Sequence, residues 1–380
     1  MDDLRLHAHL IGQQGSRAAL NTPVLVLDLD VLDRNIATMA ALAEARGVAL
    51  RPHAKTHKSI DIARRQIAAG AVGLCCAKIG EAEVLVDAGL PGVLITSPVS
   101  APAAITRLAA LAARAEGLIA VVDHPVVVER LQLALADTDA TLDVLIDVDP
   151  GIRRTGVASP EAAVELATAI AAADRLTLRG VQYYCGAHQH IEDFAQRRAA
   201  IIERTDYLET VIAALAAAGY PPEIISGSGT GTHHIDLELG VFTELQAGSY
   251  ALMDKQYLDC DLTGDGSSPF APSLGVDARV VSANHAALVT IDAGFKSLST
   301  DGGVATVTRG APPETMFAFM GDEHAALIGA DIGTRLQPGD PVSLTVPHCD
   351  PTVNLYDYYH VVQGDTLVAM WPVSARGRAR

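Results

Sequence analysis

The feature that most constrains this chain is a regular alternation running from about residue 48 to residue 250. Short apolar or β-branched runs recur there: VALRPHAK (48–55), GLCCAK (73–78), GVLIT (92–96), LIAVVD (118–123), LDVLIDVD (142–149), LRGVQYY (178–184), EIISGSG (223–229) and TELQAGSY (243–250). Between them lie stretches such as IDIARRQIAAG, EAEVLVDAG and EAAVELATAIAAA, whose apolar residues repeat at steps of three and four. Helical periods alternating with short buried strands are the pattern of βα units around a parallel sheet. Eight such units predict an α/β fold, a closed (β/α)8 barrel. An earlier strand-like run, TPVLVLDLD (22–30), has no place in a barrel of eight and is expected to pair with a second unit. Beyond about residue 255, DARVVSA, AALVTIDAG, VATVTR, PVSLTVPH and YYHVVQGD alternate with Gly, Pro and Asp turns. They predict a C-terminal β-rich domain. The expected division is residues 20–255 for the barrel and 256–380 for the β domain.

Charge narrows the partner. With 28 Lys and Arg against 45 Asp and Glu, the formal net charge is −17 and no basic block stands out. Binding to nucleic acid or to an anionic membrane therefore has no electrostatic support, and a small-molecule substrate is expected. No run of about 20 apolar residues is present, and the start, MDDLRLHAHLIGQQG, lacks the basic-then-apolar order of a signal peptide. A soluble cytoplasmic protein is expected. The five cysteines, Cys75, Cys76, Cys185, Cys260 and Cys349, are odd in number and form no C-x-x-C pair, so reduced thiols are expected.

Barrel enzymes keep their sites at the carboxyl ends of the strands. Lys55, in RPHAKTHKS, ends the first predicted strand between His53 and His57. An apolar wall and neighbouring imidazoles would lower its pKa and make it an amine nucleophile; the competing reading is a solvated lysine, since Lys58 and Lys78 also fall near strand ends. GSGTGT (227–232) follows the seventh strand and AGSY (247–250) closes the eighth. Glycine loops at those two positions commonly bind phosphate through backbone amides. A carbonyl-reactive lysine opposite a phosphate nest describes pyridoxal phosphate.

In VPHCDPTVNLYD (346–357), an extended backbone would put His348 and Asp350 on one face and Cys349 on the other. An imidazole and a carboxylate make half of a divalent-metal site suited to Mg2+ or Mn2+. The competing reading, a turn opened by Asp350-Pro351, is the commoner outcome for such a pair. Tyr184, His188 and His190 in QYYCGAHQH, Arg154 in DVDPGIRRTG, and Asp322 and His324 in GDEH are further candidates. His233 and His234 are expected to be structural.

Together, RPHAKTHK, CCAK, GSGTGTHH with ELQAGSYALMD, DAGFKS, GDEH, PHCDPTVNLYD and WPVSARG resemble the D-threonine aldolases and related 3-hydroxy-D-aspartate aldolases, over nearly the whole chain. The resemblance implies a fold-type III pyridoxal phosphate enzyme with an alanine racemase-like barrel that lends its N-terminal strand to the β domain. It also implies a homodimer, a divalent metal (Mn2+ or Mg2+), and retro-aldol cleavage of D-3-hydroxy amino acids of the D-threonine type to glycine and an aldehyde. Position by position, Lys55 matches the Schiff-base lysine and His348 with Asp350 the metal pair. His190 matches a proposed base or metal neighbour, Arg154 and Tyr184 match residues near the cofactor ring, and Thr230, Gly231, Gly248, Ser249 and Tyr250 match the phosphate loops. The similar D-serine and D-3-hydroxyaspartate dehydratases carry a His-x-Cys zinc pair, so Asp350 favours an aldolase. Ala77 departs from the family, where glutamine is frequent. Dehydration, racemisation and cofactor carriage are the competing functions. An acidic substrate side chain would need a cationic group near its pocket, and the sequence locates none.

Overall fold

The computed structural model describes residues 3–380. Its first strand, β1 (Val24–Asp28), belongs to a sheet made mostly by the C-terminal third of the chain. The next eight are β2 (Ala49–Leu50), β3 (Cys75–Cys76), β4 (Leu94–Ile95), β5 (Ile119–Val122), β6 (Leu142–Asp147), β7 (Leu176–Tyr183), β8 (Ile224–Gly227) and β9 (Glu244–Leu245). They pair in parallel, each with its successor from β3 to β9, and β9 pairs back with β2. A bridge between His53 and Cys75, with Ala54 N donating to Cys75 O at 2.7 Å and Cys75 N to Pro52 O at 2.8 Å, links β2 to β3 and closes the ring.

Helices between the strands begin where the sequence supplies a start signal. Pro102, Pro125 and Pro160 open three of them, at a position whose amide needs no partner. Asp193 caps the longest, Phe194–Ala217, by accepting from Gln196 N at 2.8 Å. Their apolar faces and the outward faces of the strands form one continuous core. No described helix is long and apolar enough to cross a membrane.

The strands are shorter than the sequence runs suggested. The run at 48–55 pairs as a strand only over Ala49–Leu50, because Pro52 has no amide to donate and the chain then turns, with Lys58 at φ 50°. The barrel interior departs from an all-aliphatic filling. A buried Arg51–Glu244 pair, both bonds 2.9 Å, is joined by Ser226 Oγ donating to Glu244 at 2.7 Å. One layer nearer the mouth, Gln246 donates to Gln182 Oε1 at 3.1 Å, and Gln182 donates to Asp147 at 2.8 Å and to Thr96 O at 2.9 Å. Polar networks of this kind favour one arrangement of the strands, since leaving more of their groups unpaired would be costly.

The second sheet has nine strands. Its remaining members are β10 (Leu274–His285), β11 (Leu288–Ile291), β12 (Thr306–Arg309), β13 (Met316–Phe319), β14 (Ala325–Ile328), β15 (Pro341–Thr345), β16 (Tyr358–Gln363) and β17 (Thr366–Pro372). β1 lies between β10, antiparallel, and β16, parallel. Three strands, β13, β14 and β17, were not anticipated from the sequence; MFAF and AALI are too short to show alternation, and GDEH is the hairpin turn between them.

The N-terminal segment is tied to this sheet by two buried histidines. Asn21 N donates to His7 Nε2 at 2.9 Å, so His7 Nδ1 carries the proton and donates to His360 Nε2 at 2.8 Å. His360 Nδ1 in turn donates to Leu25 O at 3.2 Å. Burial pushes His57, His233 and His360 down to about 4. Unfolded histidine titrates near 6.5, so between that pH and about 4 the unfolded chain binds more protons than the fold. Stability is fully present above this window and is lost as pH falls through it. Thermal unfolding should give a lower Tm near pH 5 than near pH 7.5; equal values would show that these imidazoles titrate normally in the fold.

Candidate active site

The turn after β2 presents Lys55 at the barrel mouth, its backbone held by Lys55 N donating to His53 Nδ1 at 3.3 Å. His53 Nε2 then donates to Thr96 Oγ1 at 3.0 Å, and Thr96 to Cys76 O at 3.1 Å. His57 points elsewhere: fully buried, it bonds to Gln66 at 3.2 Å and accepts from Ser59 N at 3.1 Å. Lys58 pairs with Glu81 at 3.1 Å. Of the two lysines in the motif, Lys55 is the one at the cavity.

The expected lowering of the Lys55 pKa is overturned. Its Nζ is ion-paired and hydrogen-bonded to Asp350 Oδ1. Burial opposes charge on both groups, but each offsets it for the other, so the lysine is held above its ordinary value and the carboxyl below its own.

His348 and Asp350 converge, but not through an extended strand. β15 has ended, His348 precedes the short helix Cys349–Val353, and Asp350 stands in its first turn, where Pro351 is tolerated. Cys349 N donates to Asp254 Oδ2 at 2.8 Å and His348 N to Ser299 Oγ at 3.0 Å, which pin that turn. His348 Nε2 lies 3.7 Å from Asp350 Oδ2, a buried oxygen with no hydrogen-bond partner. His348 Nδ1 donates to Asp301 Oδ2 at 2.8 Å, which leaves Nε2 as an electron-pair donor facing Asp350. The Cys349 thiol is buried and donates to Met253 O at 3.4 Å. Among the described residues no three metal-ligating side chains converge, so this is a two-residue, open arrangement.

The loops after β8 and β9 are bound to each other, Tyr250 N donating to Thr230 Oγ1 at 2.9 Å. A Cβ on Gly231 would lie 1.9 Å from Gln189 O, and one on Gly248 would lie 2.5 Å from His53 O. Close backbone approach is therefore built into both loops. Ser249 Oγ lies 3.4 Å from Thr56 Oγ1. Tyr250 braces these loops, its ring against Phe270 and its hydroxyl accepting from Gln66 at 3.2 Å.

Arg154 lies over the Tyr184 ring, 5.8 Å from its centroid. The His190 ring packs at a tilt against Tyr257, centroids 4.5 Å apart, and is pushed down to about 4, first by desolvation and then by His348 and Lys55. A cavity of about 700 Å³ beside Lys55 is bordered by Ala77, Thr96, Arg154 and Tyr184. Other candidates stay outside. His188 is held below its ordinary value by burial and then by Arg204, Asp322 lies in the hairpin turn 4.0 Å from Lys296, and His233 bonds to Thr230 O at 2.7 Å.

Family models described as alanine racemase, N-terminal domain, and putative serine dehydratase domain match residues 27–256 and 273–362. The chain is 37% identical over 363 residues to a 3-hydroxy-D-aspartate aldolase of Paracoccus denitrificans, covering 94% of this chain and 93% of that one. It is 35% identical to a D-threonine aldolase of an Arthrobacter species, covering 96% and 94%. The chain belongs to this aldolase family. The crystal structure of D-threonine aldolase from Filomicrobium marinum superposes with a TM-score of 0.91 at 39% identity, covering 96% of this chain and 97% of that one. A member of this family is an aldolase-like carbon–carbon lyase. Sequence reasoning missed Asp301, Gln189 and Asp254. Each acts by holding a candidate site residue, and no local motif marks such a partner.

Proposed function

We propose that the protein performs metal-assisted, pyridoxal phosphate-dependent retro-aldol cleavage of D-3-hydroxy amino acids of the D-threonine type, releasing glycine and an aldehyde. The observation that carries this reading is the meeting of Lys55, His348 and Asp350 at one mouth, with a buried carboxylate oxygen left unpaired. Racemisation has no use for the His348–Asp350 pair, and a thiolate zinc site would need Cys349, which is buried and turned to Met253.

The residues present fit both groups. Lys55 would hold the cofactor's carbonyl end, Thr230, Gly231, Gly248 and Ser249 its phosphate, and His348 and Asp350 a divalent ion. Pyridoxal phosphate supplies an electron sink at Cα and the ion a Lewis acid at the 3-hydroxyl. Asp350 Oδ1 holds Lys55 in its charged form in the free protein. Any chemistry that discharges Lys55 leaves a buried carboxylate without its cation, a charge that a divalent ion held by His348 and Asp350 would offset. His190, neutral at pH 7, accepts the 3-hydroxyl proton on an imidazole nitrogen. Arg154 and Tyr184 wall the cofactor.

Asp301 holds the His348 ring, so Asp301→Ala should weaken Mn2+ binding about 10- to 100-fold while the cofactor's visible absorbance stays. A Mn2+ titration followed by electron paramagnetic resonance reads this directly; unchanged affinity would make Asp301 a surface residue. The function itself is tested with cofactor-loaded protein and D-threonine, after chelation and again with Mn2+ restored. Metal-dependent glycine and acetaldehyde support the reading. Oxo acid and ammonia would assign elimination instead, and no product from any D-3-hydroxy amino acid would refute it.

A further inference from the structure

The cavity beside Lys55 is cationic in a chain that is not. Its wall carries Lys78, Arg130 and Arg154 against a single carboxylate, Asp123. Lys55 is already balanced by Asp350, so three cations less one anion leave a formal excess of +2. Elsewhere in the chain Arg51, Arg107 and Arg179, among others, are each paired with a carboxylate. Among the described residues, neither Lys78 nor Arg130 is in an ion pair. Arg130 is steadied by donating from Nη1 to Ser100 O at 3.2 Å, which leaves the rest of its fork unused. Asp123, counted in that sum, accepts from Gly156 N at 3.1 Å and is in no ion pair with Lys78 or Arg130.

Position separates this wall from the phosphate cradle. Lys78 follows β3, Ser97 and Ser100 follow β4, and Asp123 and Arg130 follow β5. In a closed ring ordered β2 to β9, these loops stand across the mouth from those after β8 and β9. The anion they suit is therefore a different one. Arg154, stacked on Tyr184, is committed to the cofactor side. Ala77 offers only a methyl group on the same wall, which keeps the approach to Lys78 open.

We propose that Lys78 and Arg130 form a subsite for a carboxylate on the substrate side chain, so that the preferred substrates are D-3-hydroxy amino acids with a second carboxylate. This rests on the cleavage reading above. A planar guanidinium with free donors and a mobile ammonium suit one carboxylate, and a site built for such a charge discriminates against a neutral analogue. The small methyl side chain of D-threonine leaves both cations unengaged.

The test uses cofactor-loaded protein and two ligands without a 3-hydroxyl, D-aspartate and D-alanine, titrated by the change in cofactor absorbance. D-Aspartate is expected to bind at least about 10-fold more tightly, with the preference lost in Lys78→Met/Arg130→Met. Steady-state assays of the same proteins should show the kcat/KM ratio of D-3-hydroxyaspartate to D-threonine falling about 10- to 100-fold, mainly through KM. Equal binding of the two ligands to the unaltered protein, or a ratio unmoved by the substitutions, would overturn the subsite. If no substrate is cleaved but D-aspartate is still preferred and the preference is lost in the variant, the cleavage reading falls and the subsite stands.

Discussion

Lys55→Ala should remove the visible absorbance of lysine-linked cofactor and lower turnover by about 10³-fold or more. Lys55 stands in the turn after β2 at the cavity, its amide bonded to His53 and its ammonium to Asp350. Lys78, the other lysine bordering that cavity, follows a different strand and has no such partner. The alanine variant also leaves Asp350 without its cation, so some loss of stability is expected and circular dichroism must accompany the assay. Lys55→Arg separates the two effects: the ion pair survives, the nucleophile does not, and turnover should fall as far as in the alanine variant. A Lys55→Ala protein that keeps its absorbance and its turnover would move the chemistry to another amine.

Asp350→Ala is expected to abolish the response to Mn2+ and reduce turnover by at least about 10²-fold, with the cofactor absorbance retained. The argument is geometric. Asp350 Oδ2 is buried, unpartnered and 3.7 Å from His348 Nε2, while the other nitrogen of that ring is fixed by Asp301. Removing the carboxylate leaves one imidazole nitrogen, too few donors to retain a hard divalent cation. Asp350→Asn keeps the volume and should fail in the same way, which isolates charge from packing. A variant with unchanged activity and an unchanged Mn2+ titration would end the metal assignment.

The two effects were unequally legible. Lys55 is marked by its place at the end of the first run and by the glycine loops after the seventh and eighth, all within the repeating barrel pattern. His348 and Asp350 were picked from their spacing, and they do meet, but through a helix start; the extended backbone assumed for them is absent. The three missed strands are of four, four and seven residues, and the first two are too short for a period of two to declare itself.

What the sequence by itself determined is the order of βα units, the β-rich end, and the place of the candidate lysine and glycine loops along them, because periodicity, proline starts and glycine turns act over a few neighbouring residues. Only the tertiary structure decided the charge state of the site. Lys55 and Asp350 stand 295 positions apart, as do Arg51 and Glu244 at 193, and His348 and Asp301 at 47. The pKa of a side chain depends on what folding brings within a few ångströms of it, and no local pattern in the chain records that distance.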